Sequence, residues 1–513
     1  MVIKRLFLAM LCLAMLPLLP AIALAEAGPH GHTLDEEHYV VEIYHDGAEA
    51  QIDQEMVNEF ISQYVKDTYK TNTDIRINFI NWGLYEEKLN PMLAAGEKVD
   101  IVWCSDGWGL DWKVHIPQGD FIDWTPYLDQ VPEYTGMIGD LIDLCKFPGK
   151  DGVKRAYLVP TMKEFSRYYG IFYNATIADE LGLDFSGVTK LADLEPIMAK
   201  YIEAYPNGIA FVPTDGGQFQ HANPRTGDEF AGGFAPAYSN EKDEYVWMQK
   251  DEGWLEIFHL MQKWYADGYF SDSVLTLQTG DFLNSPNYLI YPAMLKPGFA
   301  AERNPSYAQY GFQIGTVDYM TQPIRTVGAV RGNPYALSRT SENPERAAYI
   351  YQLICTDPVL TNAINYGIEG VHYEKISDKQ IRFIEEKKSD YFVNLPWQIG
   401  NVLLRYTVEG EQEDLMQQYA EMEAIAIVPN NDGFDYYWTE ERKAELLAEG
   451  LDVDLIKNTV IDLQTEFEKR VMCGMITDEE LATANKILED MNYEWYIQDI
   501  NDQYAAWKAE NGK

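Results

Sequence analysis

The chain has 513 residues, of which 46% are hydrophobic, and a formal net charge of −41 at pH 7. A chain of this length and composition can bury large cores and form two or more lobes, so it is not a disordered protein. Its 81 acidic residues outnumber its 40 basic ones, which disfavours nucleic acid as a partner, because nucleic-acid binding needs a basic surface. The charge favours a soluble exported protein but does not identify a ligand.

The first 25 residues have the pattern of an export signal. Lys4 and Arg5 form a basic start, an apolar run covers residues 6–19, and residues 23–25 form a small-residue cleavage site. An uncleaved membrane anchor is the alternative, although two prolines interrupt the region and its length only marginally spans a bilayer. We therefore predict a signal peptide at 1–25 and a secreted, extracellular protein associated with the cell surface.

A polar leader is predicted at residues 26–37. His30, His32 and His38 lie in or next to it, but a flexible leader rarely fixes the geometry of a metal site, and we predict no metal and no cofactor. The cysteines outside the signal lack any C-x-x-C spacing, which argues against a zinc site or a disulfide framework but leaves one or two bridges open. These cysteines are Cys104, Cys145, Cys355 and Cys473.

Strands and helices alternate after the leader. A strand follows His38, helical spacing covers residues 52–69, a second strand covers 74–80, a helix ends at Gly96, and a third strand covers 99–103. This order predicts a parallel sheet with right-handed crossovers.

Polar and aromatic residues follow the ends of these predicted strands. Asp46 ends the first strand, Trp82 follows the second, and Ser105, Asp106 and Trp108 follow the third. Open α/β sheets bind ligands beyond the carboxyl ends of their strands, so we predict a binding site at this edge.

Two later regions contribute further candidates. The segment 155–174 places Glu164 and Tyr168 between two short extended runs, where a rigid core would favour apolar residues, so it is interpreted as a crossing between lobes. Tyr366 and Glu369 lie in a glycine-containing turn, and Trp397 lies in a later loop. From residue 414 onwards the sequence is mostly amphipathic helix.

The sequence resembles the extracellular solute-binding proteins of bacterial ABC importers, in particular the large sugar and oligosaccharide branch with an extended helical C-terminal region. The resemblance lies in LNPMLAAGEKVDIVW, in YLVPTMKEFSRYYGIFYN, and in NPERAAYIYQLICTDPVLTNAINYGIEGVHYE, whose NYGIEGxHY motif is the most specific part. It implies an α/β fold, a two-lobed clamp of the type II periplasmic-binding-protein kind with doubly wound sheets and extra C-terminal helices. It also implies a small-molecule or oligosaccharide ligand in the cleft, the transmembrane subunits of an ABC permease as partners, a monomer, and no catalysis.

The resemblance also implies three chain crossings. The expected division is lobe I at 38–158 and 313–362, and lobe II at 159–312 and 363–513. The sequence departs from Gram-positive relatives where they carry a lipid-attached cysteine, because Glu26 follows Ala25 here, which puts a lipid anchor in doubt.

A sugar site needs flat aromatic rings for stacking and carboxylates or amides for hydrogen bonds to hydroxyls. Aromatic residues form 13% of the chain, and several lie beside glycine and acidic residues in predicted loops. Arg325 and Arg331 could hold a carboxylate if the ligand were acidic, such as a uronic oligosaccharide, but a surface ion pair is the expected role of both. The predicted ligand-binding residues are Asp46, Trp82, Ser105, Asp106, Trp108, Glu164, Tyr168, Tyr366, Glu369 and Trp397.

Three alternatives stay open at this stage. No serine-hydrolase elbow, phosphate-binding loop, zinc-protease motif or dinucleotide fingerprint occurs, but acid pairs are inevitable among 81 carboxylates, so a secreted glycoside hydrolase or lyase is one alternative. A binding protein for a peptide or another solute is the second. An extracellular adhesion or scaffold protein is the third.

Overall fold

The computed structural model describes residues 27–47, 51–106, 109–213, 218–219, 233–276, 286–318 and 322–512. The expected signal peptide at 1–25 and the candidate Trp108 lie outside these residues. Two mixed sheets, each with its own apolar core, organise the described chain.

The strands, numbered in chain order, are β1 (Tyr39–Asp46), β2 (Thr73–Ile80), β3 (Ile101–Trp103), β4 (Phe121–Ile122), β5 (Lys146–Pro148), β6 (Lys154–Ala156), β7 (Leu158–Pro160), β8 (Ser166–Asn174), β9 (Ile209–Phe211), β10 (Ala237–Ser239), β11 (Glu244–Val246), β12 (Tyr288–Leu295), β13 (Ile314–Asp318), β14 (Ile324–Arg325), β15 (Pro334–Ser338), β16 (Tyr373–Lys375), β17 (Gln380–Phe383) and β18 (Thr407–Val408).

The α-helices are α1 (Gln54–Tyr69), α2 (Tyr85–Ala95), α3 (Trp112–Gln118), α4 (Pro132–Ile138), α5 (Ala175–Leu181), α6 (Glu195–Ala204), α7 (Glu252–Ala266), α8 (Phe299–Tyr307), α9 (Val327–Arg331), α10 (Pro344–Thr356), α11 (Pro358–Tyr366), α12 (Leu415–Ala424), α13 (Glu440–Ala448), α14 (Val453–Met472), α15 (Asp478–Asp490) and α16 (Tyr493–Asn511). Short 3-10 helices cover Thr125–Gln130, Gly139–Cys145, Leu191–Leu194, Met248–Lys250, Asp272–Leu275, Ala308–Tyr310, Glu385–Lys387 and Val402–Leu404.

The first sheet has the strand order β2-β1-β3-β15-β4, and β7 also pairs with β15. β1 runs parallel to β2 and β3, with Ile43 opposite both Ile77 and Ile101. β15 returns from much later in the chain and runs antiparallel to its neighbours. The predicted alternation of parallel strands and helices is confirmed, and it brings the carboxyl ends of β1, β2 and β3 to one edge.

β2 is an edge strand, and helix α1 covers its free side. The Ile75 amide donates to the Ser62 hydroxyl at 2.8 Å, and the Ile77 amide donates to the Asn58 side-chain oxygen at 3.3 Å. Asn58 and Ser62 are buried polar residues in the otherwise apolar face of α1. These two side chains satisfy donors that would otherwise be available to a strand from another chain.

The second sheet has the order β13-β8-β12-β9, with β14 also paired to β8. β12 is parallel to β9 and antiparallel to β8, so the sheet is mixed. Helices α14, α15 and α16 bury their apolar faces in the same core as the residues of α7, as Trp254, Leu463, Leu488 and Ile500 show. The C-terminal helices predicted from the sequence therefore extend the second lobe.

The chain crosses between the sheets at places that differ from the predicted boundaries. β13 pairs with β8 of the second sheet, although the division placed residues from 313 onwards in lobe I, and the first sheet is rejoined only at β15. Tyr391, Val393 and Ile399 pack in the first core, although residues from 363 onwards were placed in lobe II. Strand pairing and side-chain burial between distant segments decide these boundaries.

The leader residues from 27 to 37 lie against the first lobe. The His30 ring stacks on Tyr69 at a centroid distance of 5.7 Å, and the buried Arg346 pairs with Glu36. These contacts hold the leader in place by side chains of α1 and α10.

Three predicted helix ends are confirmed. Gly96 ends α2 with φ of 73°, and its amide donates to carbonyl groups of the last turn. The Asn343 side chain accepts from the Arg346 amide at the start of α10. Thr477 and Glu480 form the predicted capping box of α15.

The cysteines in the described chain are buried and free, so the bridges that the sequence left open are not formed among them: Cys104, Cys145, Cys355 and Cys473. Within the same residues, no helix is both long enough and apolar enough to cross a bilayer.

We predict that Ser62→Ala lowers the free energy of unfolding by about 1 to 3 kcal/mol, because the buried Ile75 amide loses its acceptor. Chemical denaturation measures the change. Gln63→Ala, at an exposed position one residue further along α1, is the matched control and should change stability by less than about 0.5 kcal/mol. Equal losses in both variants would contradict the edge-covering role of Ser62.

Candidate functional site

The candidate site lies where β1, β2 and β3 end. Asp46 is the last residue of β1, Trp82 follows β2, and Ser105 follows β3, so the parallel register brings the three predicted residues to one edge. The pocket at this edge has a volume of about 470 Å³ and is lined by Trp82, Gly83, Glu86, Glu87, Asn90, Pro91 and Gly109.

Asp46 is unusual at this edge because it is an acidic residue that is fully buried. Its exposed fraction is 0%, and neither carboxylate oxygen has a hydrogen-bond partner among the described residues. Burial raises the pKa of Asp46 to about 7, and the Gly47 amide offsets part of that effect. A buried carboxyl without a partner lowers the stability of the fold, which makes Asp46 a candidate for ligand binding.

Two glycines bring this carboxyl close to the pocket wall. A Cβ atom at Gly109 would lie 3.0 Å from Asp46 Oδ2 and 3.5 Å from Ser105 Oγ. A Cβ atom at Gly47 would lie 2.5 Å from Trp82 Cζ2 and 3.1 Å from Gln398 Oε1. Both glycines have positive φ, and neither position has room for a side chain.

Other polar atoms at this edge also lack partners within the described chain. They are the Ser105 hydroxyl and both amide atoms of the Gln398 side chain, and both residues are fully buried. The Trp82 side chain is 42% exposed, and its ring meets the buried Trp103 ring edge to face at 6.0 Å. The edge therefore combines an exposed indole with unsatisfied hydrogen-bonding groups.

His45 precedes Asp46 but belongs to the core. Its ring stacks on Trp103 and lies close to Phe79 and Tyr335. Burial lowers the pKa of His45 to about 3, so the ring is neutral at physiological pH. A neutral imidazole does not compensate the charge of Asp46.

The crossing segments meet directly behind this edge. The Thr161 hydroxyl contacts the Asn333 carbonyl oxygen and lies 3.0 Å from the Gln398 carbonyl oxygen. The Val402 amide donates to the Met162 carbonyl at 2.8 Å. Gln398 is thus fixed by its backbone at the junction while its side chain faces Gly47.

Glu164, another predicted site residue, is buried within the first crossing. Lys296 contacts it at 3.1 Å and also contacts Glu302 at 2.9 Å. Burial alone would raise the pKa of Glu164, but the positive charges of Lys296, Arg167 and Lys163 together with a backbone hydrogen bond lower it. Burial lowers the pKa of the neighbouring Lys163 to about 7. The structure places Glu164 in an interlobe ion-pair network.

Further predicted residues of the first half lie apart from the unpaired carboxyl. Asp106 follows Ser105 but forms an ion pair with Lys113 at 2.5 Å. Tyr168 is half-buried in β8, opposite Leu295 of β12. Their contact with a ligand stays a prediction, as does that of Trp108, which lies outside the described residues.

The predicted residues of the NYGIEG region and the later loop occupy different environments. Tyr366 is fully buried in a small cluster with Tyr373 and Ile381, and Glu369 pairs with Lys375 at 3.1 Å. Trp397 is half-buried and immediately precedes Gln398. Tyr366 reaches a ligand only through a rearrangement of its cluster, so its binding role stays a prediction too.

Family comparison agrees with this geometry. Residues 52–348, more than half of the chain, match the model of the family described as bacterial extracellular solute-binding protein. The chain belongs to this family.

Relatives of this solute-binding protein share its length. A carbohydrate ABC transporter substrate-binding protein of Streptococcus pneumoniae serotype 4 is 22% identical over 446 residues, which cover 85% of this chain and 84% of that protein.

Two solved structures show the same two-lobed fold. The N-glycan transport solute-binding protein NgtS from Streptococcus pneumoniae has a TM-score of 0.75 and 22% identity, covering 92% of this chain and 100% of that one. An HMO-binding, ABC-transporter-associated solute-binding protein from Bifidobacterium longum infantis has a TM-score of 0.59 and 14% identity, covering 92% and 99%. The type II clamp with extra C-terminal helices predicted from the sequence is confirmed.

Several residues at the candidate site of this solute-binding protein were not predicted from the sequence. Gln398 was passed over, although it adjoins the predicted Trp397. Gly47 and Gly109 are next to predicted acids and loops, but only the folded chain shows that a Cβ atom there would collide with site residues. Glu86 and Glu87 belong to the first turn of α2 and had no sequence signal beyond favourable helix-dipole charge.

We predict that Gly109→Ala weakens solute binding at least tenfold, because the added methyl group occupies the space beside Asp46 Oδ2 and Ser105. Gly96→Ala is the matched control, since Gly96 also has positive φ but nothing lies within 4 Å of its Cβ position. Backbone strain should cost each variant about 1 to 2 kcal/mol of stability. Gly109→Ala should lose more, because its methyl group would lie 2.9 Å from the buried Trp103 ring, and only Gly109→Ala should lose affinity. Calorimetric titration checks this, and similar affinities in the two variants would contradict it.

We predict that Asp46→Asn stabilises the ligand-free protein at pH 8 by about 2 to 3 kcal/mol more than at pH 5. The carboxyl of Asp46 has a pKa of about 7 in the folded state and an ordinary value of 3.8. Its protonated form therefore favours the folded state at low pH, and that contribution is lost as the pH rises through 7.

Urea denaturation at several pH values measures the difference between the variant and the unmodified protein. Asp502→Asn, at an exposed position of α16, makes the same change of charge on the surface and is the control. A difference that does not vary with pH would mean that Asp46 is paired or hydrated.

Proposed function

We propose that this solute-binding protein captures an oligosaccharide in the cleft between its lobes and delivers it, chemically unchanged, to the transmembrane subunits of an ABC permease. One observation carries the proposal. At one strand edge, the exposed Trp82 ring lies with polar groups that have no hydrogen-bond partner among the described residues, those of Asp46, Ser105 and Gln398.

A sugar ring is chemically suited to this combination. Its C–H face packs against an indole, and its hydroxyl groups donate to carboxylate and amide oxygens and accept from amide N–H groups. The carboxylate of Asp46 and the amide of Gln398 together offer both kinds of partner. A ligand that supplies these hydrogen bonds removes the cost of leaving the buried groups unpaired.

The related proteins support the same ligand class. One is described as a carbohydrate ABC transporter substrate-binding protein, and the two structural neighbours as an N-glycan transport protein and an HMO-binding protein. Family membership and the ABC transporter association of these relatives support delivery to a permease.

The mechanism that we propose is a hinge. The lobes move about the junction of Thr161, Asn333 and Gln398, and a ligand that touches both lobes shifts the population towards the closed form. Closure brings polar and aromatic groups of the second lobe to the ligand held on the first. The protein acts as an extracellular monomer and performs no catalysis.

A panel of mono- and oligosaccharides, peptides and amino acids tests the ligand class. The melting temperature should rise with saccharides and with no other ligand of the panel, because a ligand that binds only the native state stabilises it by mass action. Chromatography of the incubated mixture should return the saccharide intact. A product would support the glycoside hydrolase or lyase alternative, and a shift with peptides alone would replace the proposed ligand class.

We predict that Trp82→Ala weakens oligosaccharide binding by about 1 to 3 kcal/mol through lost stacking and burial, with little change in stability because the ring is 42% exposed. Isothermal titration calorimetry measures the affinity. Tyr437→Ala removes another exposed ring, in the C-terminal region, and should leave affinity unchanged. Unchanged affinity in Trp82→Ala would place the sugar elsewhere.

A further inference from the structure

The wall of the pocket beside Trp82 carries negative charge, which does not favour an acidic sugar. Glu86 and Glu87 line the pocket beside Trp82 and are exposed. Asn90 completes that wall and donates to Glu86 at 3.4 Å. No lysine or arginine is among the described residues that line the pocket. A ligand on the Trp82 ring therefore faces two carboxylates and no compensating cation.

Asp46 is a second, independent observation at the same place. It is fully buried, both of its oxygens lack partners in the described part of the chain, and its Oδ2 is 3.0 Å from where a Cβ atom of Gly109, a pocket-lining residue, would lie. This unpaired acceptor lies directly behind the part of the pocket wall that Gly109 forms. A ligand carboxylate would meet like charge there.

The arginines that could have bound an acidic ligand are engaged elsewhere. Arg325 pairs with Asp432 at 2.6 Å. Arg331 pairs with Asp435 at 2.6 Å and donates from Nε to the Leu144 carbonyl oxygen at 2.6 Å. Both arginines therefore form ion pairs within the protein.

Two lysines near the strand ends and the first crossing are engaged as well. Lys113, on the helix after the β3 loop, pairs with Asp106, and Lys296 is shared between Glu164 and Glu302. Recruiting any of these cations for a ligand would leave a protein carboxylate without its partner.

We propose that the pocket selects uncharged oligosaccharides and discriminates against those that carry a carboxylate, with Glu86 and Glu87 as specificity-determining residues. The inference rests on the proposed carbohydrate function and adds the charge class of the ligand. Neutral sugars present only hydroxyl and amide donors to the carboxylates, whereas uronic or other acidic sugars bring a repelling charge. The discrimination is electrostatic, so salt should weaken it.

The experiment compares matched pairs of ligands by calorimetric titration. The probes are maltotetraose, cellotetraose and Man5GlcNAc, each beside its derivative with the terminal primary hydroxyl oxidised to a carboxylate. For every pair that binds, the neutral member should bind at least tenfold tighter in 20 mM NaCl, and the ratio should narrow in 500 mM NaCl.

The double variant Glu86→Gln/Glu87→Gln should reduce the ratio of neutral to acidic affinity at least fivefold. Glu440→Gln/Glu441→Gln makes the same change in the first turn of α13 and is the matched control, since both pairs are exposed acids at helix starts. This control should leave the ratio as it is in the unmodified protein.

The outcomes separate the two proposals. Three results would each overturn the charge selection while leaving carbohydrate capture intact. They are equal affinities for neutral and acidic members, a higher affinity for the acidic members, and a ratio of neutral to acidic affinity that the Glu86 and Glu87 variant does not change. Absence of binding by every member, together with no saccharide response in the thermal-shift panel, would overturn the proposed function itself and the charge selection with it.

Discussion

The joining of three crossing segments at one point is the constraint on which the arrangement of the lobes depends. The Thr161 hydroxyl lies between the backbone carbonyls of Asn333 and Gln398, and each of these residues belongs to a different crossing. Around this junction, the carboxylate of Glu423 accepts from the amides of Phe165 and Ser166. The backbone that crosses between the sheets is thereby hydrogen-bonded, as a segment between two cores requires.

The same junction determines how the site is presented. Gln398 is held there by its backbone, and its side chain faces Gly47. Asp46 lies next to Gly47 and carries a buried carboxyl group without a hydrogen-bond partner among the described residues. The described chain thus keeps unsatisfied polar groups at this strand edge, and in the proposed function a ligand satisfies them, which would link the stability of the empty protein to its affinity.

The distribution of charge has different meanings in different places. Across the surface, the net charge of −41 is a general property that favours solubility. At the pocket, Glu86 and Glu87 face a defined space whose described lining residues include no lysine or arginine, and there we propose that the same residue type sets selectivity. In the crossing, Glu164 is neutralised by Lys296 and contributes to the interlobe contact.

The sequence by itself determined the class of fold and much of the site. Periodicity and caps predicted the parallel strands, the start of α10 at Asn343 and the capping box of α15, because these features depend on neighbouring residues. Strand order also brought Asp46, Trp82 and Ser105 together, since the ends of parallel strands share an edge. Only the tertiary structure decided that β13 belongs to the second sheet, that Tyr366 is enclosed in its own cluster, and that Gln398 faces Asp46's neighbour Gly47. Those outcomes depend on pairing and packing between residues far apart in the chain, which no local pattern encodes.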